Sequence, residues 1–429
     1  MFYSFLHFLS ILITYPLAKW ILPNIKTREN AILFHITIGV SICGILFNQR
    51  ILYGFLMVTI SYFVLGMNPY FATFVAYLMN FLLIILQFYI PAKLRINNLS
   101  MIIFMKAVAL SFNIEDGRRK KITGKSKSKR REDFSVSQRP SFVEWFAYCF
   151  TPFGATSTPI FEYRYFDSLL NVGVEENGTK VSEENEKEAL SSLRVSIYFG
   201  LIHFLSSHYF RYSFYCSDSF LNMNIVLRIF FVLLLSLSSL IKNCMQWEAL
   251  RAGLLQAGMG DFSFSHIKEF CNCRIFDIIK CKTISEWGKC YNSTCSHFWS
   301  FYFTERINEI GLGYTLPKII TFFVKPLFKG LYGALFLGNI EKKLYGRAEK
   351  ALVELTKDAS YSQGLTYAFA QIVMFLAKAT ICFKTAKSFI IISFSVNFYF
   401  WMFSILLIAC QRIIVKMSKH EKEQKLKQD

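Results

Sequence analysis

The residues of this chain best suited to chemistry gather between Trp287 and Phe303. There Tyr291-Asn292-Ser293-Thr294 and His297 stand inside a run of rings: Trp287, Tyr291, Phe298, Trp299, Phe301, Tyr302 and Phe303. Asn, Thr and His offer hydrogen-bond donors and acceptors, and His also exchanges a proton near neutral pH. A few such groups walled by aromatic side chains make a pocket or tunnel for a lipid-like ligand. The same composition suits an interfacial aromatic belt, where rings sit at the level of the lipid headgroups. His297 follows Asn292 by about 140° on a regular helix, so the two share a wall only if the segment is irregular. Cys271, Cys273 and Cys281 lie near His266, but their spacing is poor for zinc and no metal is expected.

The elements that must position these groups are apolar. The 429 residues are 53% hydrophobic with 46 Phe, and mean hydropathy is +0.35, beyond an ordinary soluble domain. Apolar runs at about 2–22, 31–47, 51–66, 69–91, 195–212, 220–242, 315–337, 360–382 and 388–415 are of membrane-crossing length or close to it. The pattern predicts an all-α polytopic membrane protein of about ten to eleven transmembrane helices, forming one membrane-embedded domain over residues 1–429. Met101 to Phe112 is apolar but too short to cross alone, and reads as interfacial or re-entrant. The N-terminus lacks a basic leader and a small-residue cleavage site, so its first run reads as a retained span.

The net charge of +19 does not call for nucleic acid, because the basic residues cluster at helix flanks and in one block. Nine of the fourteen residues from Arg118 to Arg131 are Lys or Arg, which predicts a solvated cytosolic loop over 118–139 touching anionic membrane lipids. Residues 172–194 read as an acidic, disordered loop. Residues 416–429 read as a soluble basic tail, in which Lys425 and Lys427 resemble a dilysine signal for retrieval to the endoplasmic reticulum from the cytosolic side. The eleven Cys read as core thiols of a reducing or membrane setting.

Several landmarks together resemble the membrane-bound O-acyltransferase family, most closely its lysophospholipid branch and the lysophosphatidylinositol acyltransferases within it. Asn98 to Phe112 is similar to the segment preceding the family's loop. Pro159-Ile-Phe-Glu-Tyr-Arg164 resembles a Thr-Gly-Pro-Phe-Phe-x-Tyr-Arg element, with Thr158 where the family has Gly. Trp247-x-Ala249, Gly253, Ala257-Gly258 and Gly260 match a helix of small residues, with Arg251 where the family has Glu. Tyr291-Asn292-Ser293-Thr294 resembles the signature Trp-Asn-x-Thr. The likeness covers most of the chain from about residue 95 onward. It implies a helical bundle with an internal tunnel, in which a lysophospholipid hydroxyl attacks the thioester of acyl-CoA as co-substrate, with no bound cofactor.

The resemblance assigns Asn292 to positioning or stabilising the reacting groups. It places the family's His in Pro326 to Phe336, where Phe328 takes the Trp, Gly330 the Gly and Lys329 the His. Tyr291, Thr294, Trp299, Tyr302, Phe328, Gly330, Tyr163 and Arg164 are the expected substrate-binding residues. Of seven His only His297 and His420 follow the signature; His297 lies three residues beyond it, and His420 belongs to the tail. A Lys accepts a proton only if burial lowers its pKa by about three units or more, and a snorkelling Lys at a helix end is the rival reading for Lys329. Two functions therefore stand: an acyltransferase with an unusual base, or a non-catalytic relative that binds lipid or acyl-CoA or regulates an active enzyme. A transporter would show two similar halves around a midplane site, and no internal repeat is visible.

Overall fold

A computed structural model describes residues 2–86, 97–171, 181–207, 214–261, 270–273, 275–311, 315–329, 333–382 and 393–425. The described residues are helical or irregular, with no strand among them. The chain divides into two compact units: Met1–Phe204, Lys242–Cys273 and Asn292–Leu331 form the first, and Leu205–Ile241, Arg274–Tyr291 and Tyr332–Asp429 form the second.

Among the described residues, six stretches are long and apolar enough to cross a membrane: Tyr3–Asn24, Arg28–Val64, Asn98–Thr123, Glu183–Ser206, Ile225–Gln256 and Ser393–Met417. Of the predicted run at 315–337, the described residues form the helix Thr315–Lys329, which includes Lys318, Lys325 and Lys329, and the start of the helix at Gly333; residues 330–332 lie outside the described residues.

Helix α1 (Phe2–Leu12), α2 (Arg28–Phe47), α3 (Ile51–Val64) and α4 (Pro69–Leu86) open the first unit. Of these, α3 and α4 pack against α5, which runs Asn97–Thr123 over 27 residues. This corrects the expectation of a short interfacial segment. The apolar run Met101–Phe112 continues without Gly or Pro through Asn113–Asp116, passes a single Gly117 and enters a first basic cluster, and Lys and Arg are good helix formers. The basic block expected as a loop is helical at both ends: α5 continues to Thr123, and α6 spans Lys129–Phe134. Ser128 caps α6 by accepting from the Arg131 amide at 3.4 Å.

Burial is distributed as in a membrane-embedded bundle. Helix α5, the least apolar of the six, is mostly buried, whereas Ile225–Gln256, the most apolar, has few buried residues along its apolar stretch. In water the most apolar helix would be the most hidden. Here the polar helix is enclosed, and apolar side chains such as Leu33, Leu52, Phe63 and Phe74 are exposed, the arrangement expected where lipid is the solvent.

Helices α7 (Phe142–Phe150) and α8 (Tyr163–Leu170) complete this part of the core. Ser141 and Glu144 form a reciprocal capping box at the start of α7. Gly39 lets α2 touch α7: a Cβ there would lie 1.5 Å from the Phe150 carbonyl oxygen. The acidic region expected as disordered over 172–194 begins helix α9 at Glu183, which continues to Ser206. Residues 172–180 of that expectation lie outside the described residues. Glu183, Glu184 and Glu186 occupy the first turn, where carboxylates complement the helix dipole.

Helix α10, Ile225–Gln256, carries the small-residue series. A Cβ on Gly253 would stand 2.2 Å from Thr14 Oγ1, a close approach of the kind small residues permit. Gly258 takes φ +81 just past the helix end, the left-handed conformation that glycine adopts freely. Arg251, which stands where the resemblance leads one to expect Glu, is buried and donates to Ser192 Oγ at 2.5 Å and Glu188 Oε1 at 2.7 Å.

In the second unit, α11 (Ile284–Cys290), α14 (Gly333–Leu355), α15 (Ser362–Cys382) and α16 (Phe398–Lys425) are the principal helices; α12 (Ser293–Phe298) and α13 (Thr315–Lys329), which come between α11 and α14 in sequence, belong to the first unit. Glu341 accepts from Asn397 Nδ2 and Trp401 Nε1, both at 3.0 Å, and Ile284 N donates to Glu349 at 2.9 Å. The expected tail is helical through Lys425, and Lys427 lies outside the described residues.

Gly39→Ala is expected to lower stability by at least about 1–3 kcal/mol, because the added methyl meets backbone rather than a side chain that can turn away. Thermal unfolding in detergent measures it, and an unchanged Tm would show that α2 and α7 do not meet there.

Candidate functional site

The Trp287–Phe303 stretch divides between the two units at Tyr291. In the second unit, Trp287 stacks on Tyr291 with ring centroids 5.0 Å apart. Lys378 Nζ donates to the Tyr291 hydroxyl at 2.7 Å and lies 4.6 Å from its ring centroid. In the first unit, Asn292 adopts φ 52, ψ 54, a left-handed conformation that Asn tolerates better than most side chains. Helix α12, Ser293–Phe298, starts there with no cap from the Asn292 side chain, whose buried Oδ1 has no partner among the described residues.

The cap comes instead from Asn272. Its Oδ1 accepts from the Thr294 amide at 3.1 Å and the Thr294 hydroxyl at 2.5 Å, and its Nδ2 donates to Thr158 Oγ1 at 2.5 Å. Ser293 adds bonds from its amide to the Asn272 carbonyl at 3.1 Å and from its hydroxyl to the Cys271 carbonyl at 2.6 Å. One buried carboxamide thus fixes the start of α12 and the turn before Pro159. The sequence reading missed Asn272. A buried Asn between two Cys carries no spacing signal, and its role arises only when distant segments meet.

Those segments enclose a cavity of about 230 Å³. Ala109 of α5, Ile160, Phe161 and Glu162, and Ser293, Thr294, His297 and Phe298 of α12 line it, together with Arg130, Tyr165 and Phe270. Ser293 and His297 are one helical turn apart, as are Thr294 and Phe298, so α12 turns this face inward. His297 therefore joins Thr294 on the wall. Asn292 is not among the described lining residues.

The polar groups around the cavity are held from behind. Tyr302 donates its hydroxyl to Asn113 Oδ1 at 2.9 Å, and Asn113 Nδ2 donates to Glu162 Oε2 at 2.9 Å. The Arg306 guanidinium meets both carboxylate oxygens of Asp116, at 2.9 and 2.5 Å, and lies 4.8 Å from the Phe112 ring centroid. Trp299 and Tyr302 are buried in a π-helical turn, Trp299–Glu305. Trp299 packs on Phe303 at 4.5 Å. Neither is among the residues lining the cavity, so the structure gives both a supporting position rather than a lining one. Burial, followed by the nearby positive charge of Arg130, lowers the His297 pKa to about 4, leaving a neutral imidazole.

Tyr163 and Arg164 stand elsewhere, on an open basin of about 1110 Å³ that also includes Lys120, Lys121, Lys129, Ser126 and Ser128. Arg164 donates to the backbone carbonyls of Glu132 and Asp133. Burial, then the charges of Glu144 and Asp167, raises the Tyr163 pKa. The basic block beside this basin is partly paired: Lys120 meets Glu132 at 2.8 Å, and Glu309 receives Lys127 at 2.6 Å and Arg131. Phe328 and Lys329 end α13 (Thr315–Lys329). Their side chains, and all of Gly330, lie outside the described residues.

Asn272→Ala is expected to cost about 1–3 kcal/mol for each buried partner it strands. Thermal unfolding and faster amide exchange at Thr294 would report it; unchanged exchange would remove Asn272 from the role of cap. Glu309 yields a pH prediction. Burial raises its pKa, but hydrogen bonds from Arg131 and Lys127 outweigh that and bring it to about 2, below the ordinary 4.5. A depressed carboxyl stabilises the fold above about pH 4.5 and loses that contribution as pH falls toward 2. Unfolding measured across this window should show a smaller acid-side loss in Glu309→Gln than in the unaltered protein.

No protein-family model matches the chain, and no curated protein does so.

Proposed function

We propose that this chain is a membrane-embedded acyltransferase of the membrane-bound O-acyltransferase type. It would move an acyl chain from acyl-CoA to a lysophospholipid, lysophosphatidylinositol-like, during phospholipid remodelling. One observation carries the reading. Three segments that resemble the family in sequence meet at a single cavity: Asn98–Phe112 through Ala109, Pro159–Arg164 through Ile160, Phe161 and Glu162, and Tyr291–Thr294 through Thr294. A pocket with mainly apolar walls and a few polar groups suits a reacting headgroup and thioester.

The open basin lined by Lys120, Lys121, Lys129 and Arg164 supports an anionic co-substrate, and fits the phosphates of acyl-CoA. In this reading Asn292 holds the geometry of the signature turn, and Lys329 occupies the place of the family's His. The full bundle has ten to eleven spans around an internal tunnel, and the protein resides in the endoplasmic reticulum with a cytosolic C-terminus.

A second reading has its own support. The absent His at 329 and the Glu-to-Arg change at 251 suit a non-catalytic member that binds lipid or acyl-CoA or regulates an active acyltransferase. The deciding experiment expresses the chain in microsomes that lack endogenous activity, then follows acyl transfer from oleoyl-CoA to lysophosphatidylinositol. Transfer above the empty-membrane level is expected. Its absence, while a His-bearing relative works under the same conditions, would overturn the enzymatic reading. Activity gained only by Lys329→His, or co-purification with an active acyltransferase, would favour the second.

A further inference from the structure

The cavity holds one group that the resemblance does not assign. We infer that His297, and not Lys329, takes the proton from the acceptor hydroxyl. The inference rests on the acyltransferase reading and specifies the base within it.

The argument begins with placement. Helix α12 brings His297 to the same wall as Ser293 and Thr294, and the ring is held against Phe301 at a centroid separation of 5.4 Å, nearly parallel. Its Nε2 is buried with no hydrogen-bond partner among the described residues. Buried polar nitrogens are nearly always paired, so an orphan on a cavity wall points to a ligand that completes it. A hydroxyl is the smallest group that would do so.

Charge favours the same assignment. The ionisable groups facing His297 across the cavity are Arg130 from α6, Glu162 before α8 and Tyr165 within α8. Burial first, and Arg130 second, keep the imidazole neutral to about pH 4. A neutral imidazole has a lone pair to offer at every physiological pH. An amine such as that of Lys329 has one only after losing a proton it ordinarily keeps to about pH 10.

The step balances without any oxidant. The hydroxyl proton passes to the imidazole as oxygen bonds to the thioester carbonyl carbon. The tetrahedral intermediate then expels the CoA sulfur, which takes the proton back from the imidazolium. An ester and free CoA thiol leave, and His297 is restored.

The test uses the full chain in microsomes with oleoyl-CoA and lysophosphatidylinositol. His297→Gln is expected to lower kcat about a hundredfold to ten-thousandfold, with KM for both substrates changed less than threefold and Tm retained. The unaltered enzyme provides a second measurement that needs no variant. Its kcat should stay flat between pH 5.5 and 8, whereas an ordinary amine base would make it climb about tenfold per unit.

An active enzyme whose kcat survives His297→Gln within threefold, or whose unaltered form shows the tenfold climb, overturns His297 and leaves the acyltransferase reading standing. If the unaltered chain transfers no acyl group at all, the acyltransferase reading fails, and the assignment of His297 fails with it.

Discussion

The carboxamide of Asn272 is the interaction on which the rest of the site depends. It joins Thr294, 22 residues away in sequence, to Thr158, 114 residues away, and all three lie in helix ends or turns with little geometry of their own. Helix α12 has only six residues, too few to be stable alone. Its start is left-handed and its end runs into a π-helical turn. What keeps it in place is tertiary: a borrowed cap at one end, and at the other the buried rings of Phe298 and Trp299 with the Tyr302–Asn113–Glu162 relay behind them. The cavity exists because these supports fix one side of a short helix.

Much of the architecture was legible. Apolar runs are readable because lipid demands them, and the helical class follows because an unpaired backbone cannot stand in hydrocarbon. The aromatic stretch left a pocket and an interfacial belt both open, and Thr294 lines a cavity. Other parts were not legible, for identifiable reasons. The length of α5 was hidden because its polar half looks like a loop when hydropathy is averaged, although Asn113 and Asp116 are paired inside the protein. The acidic residues from Glu183 read as disordered because their partners, Lys19 and Arg251, lie far away in sequence. Tyr291 and Thr294 looked like one cluster, but Tyr291 belongs to the packing of Trp287 and Lys378. The sequence placed His297 off the face of Asn292 on a regular helix; Asn292 instead precedes α12 in a left-handed conformation, and the cavity lies on the face of Ser293, Thr294 and His297.

Arg251 illustrates how a buried charge is absorbed. A buried guanidinium without a counter-charge would be very costly. Glu188 and Ser192 of α9 take up its Nη donors, with Glu248 at 3.8 Å, so the guanidinium is held by an acidic helix start. Such accommodation preserves architecture and says nothing by itself about chemistry.

The ion pair between Asp116 and Arg306 has a consequence for biogenesis. The partners are 190 residues apart in the chain, and chains are made at about 5–20 residues per second. Helix α5 therefore emerges with Asp116 and the buried Lys106 long before Arg306 has been synthesised, and a lone carboxylate is a poor passenger in hydrocarbon. Its final lodging must wait for the C-terminal third of the chain. Until then α5 needs a watery or proteinaceous berth at the translocation machinery. A nascent chain stalled before Arg306 would thus present quality control with an Asp116 carboxylate that lacks its counter-charge.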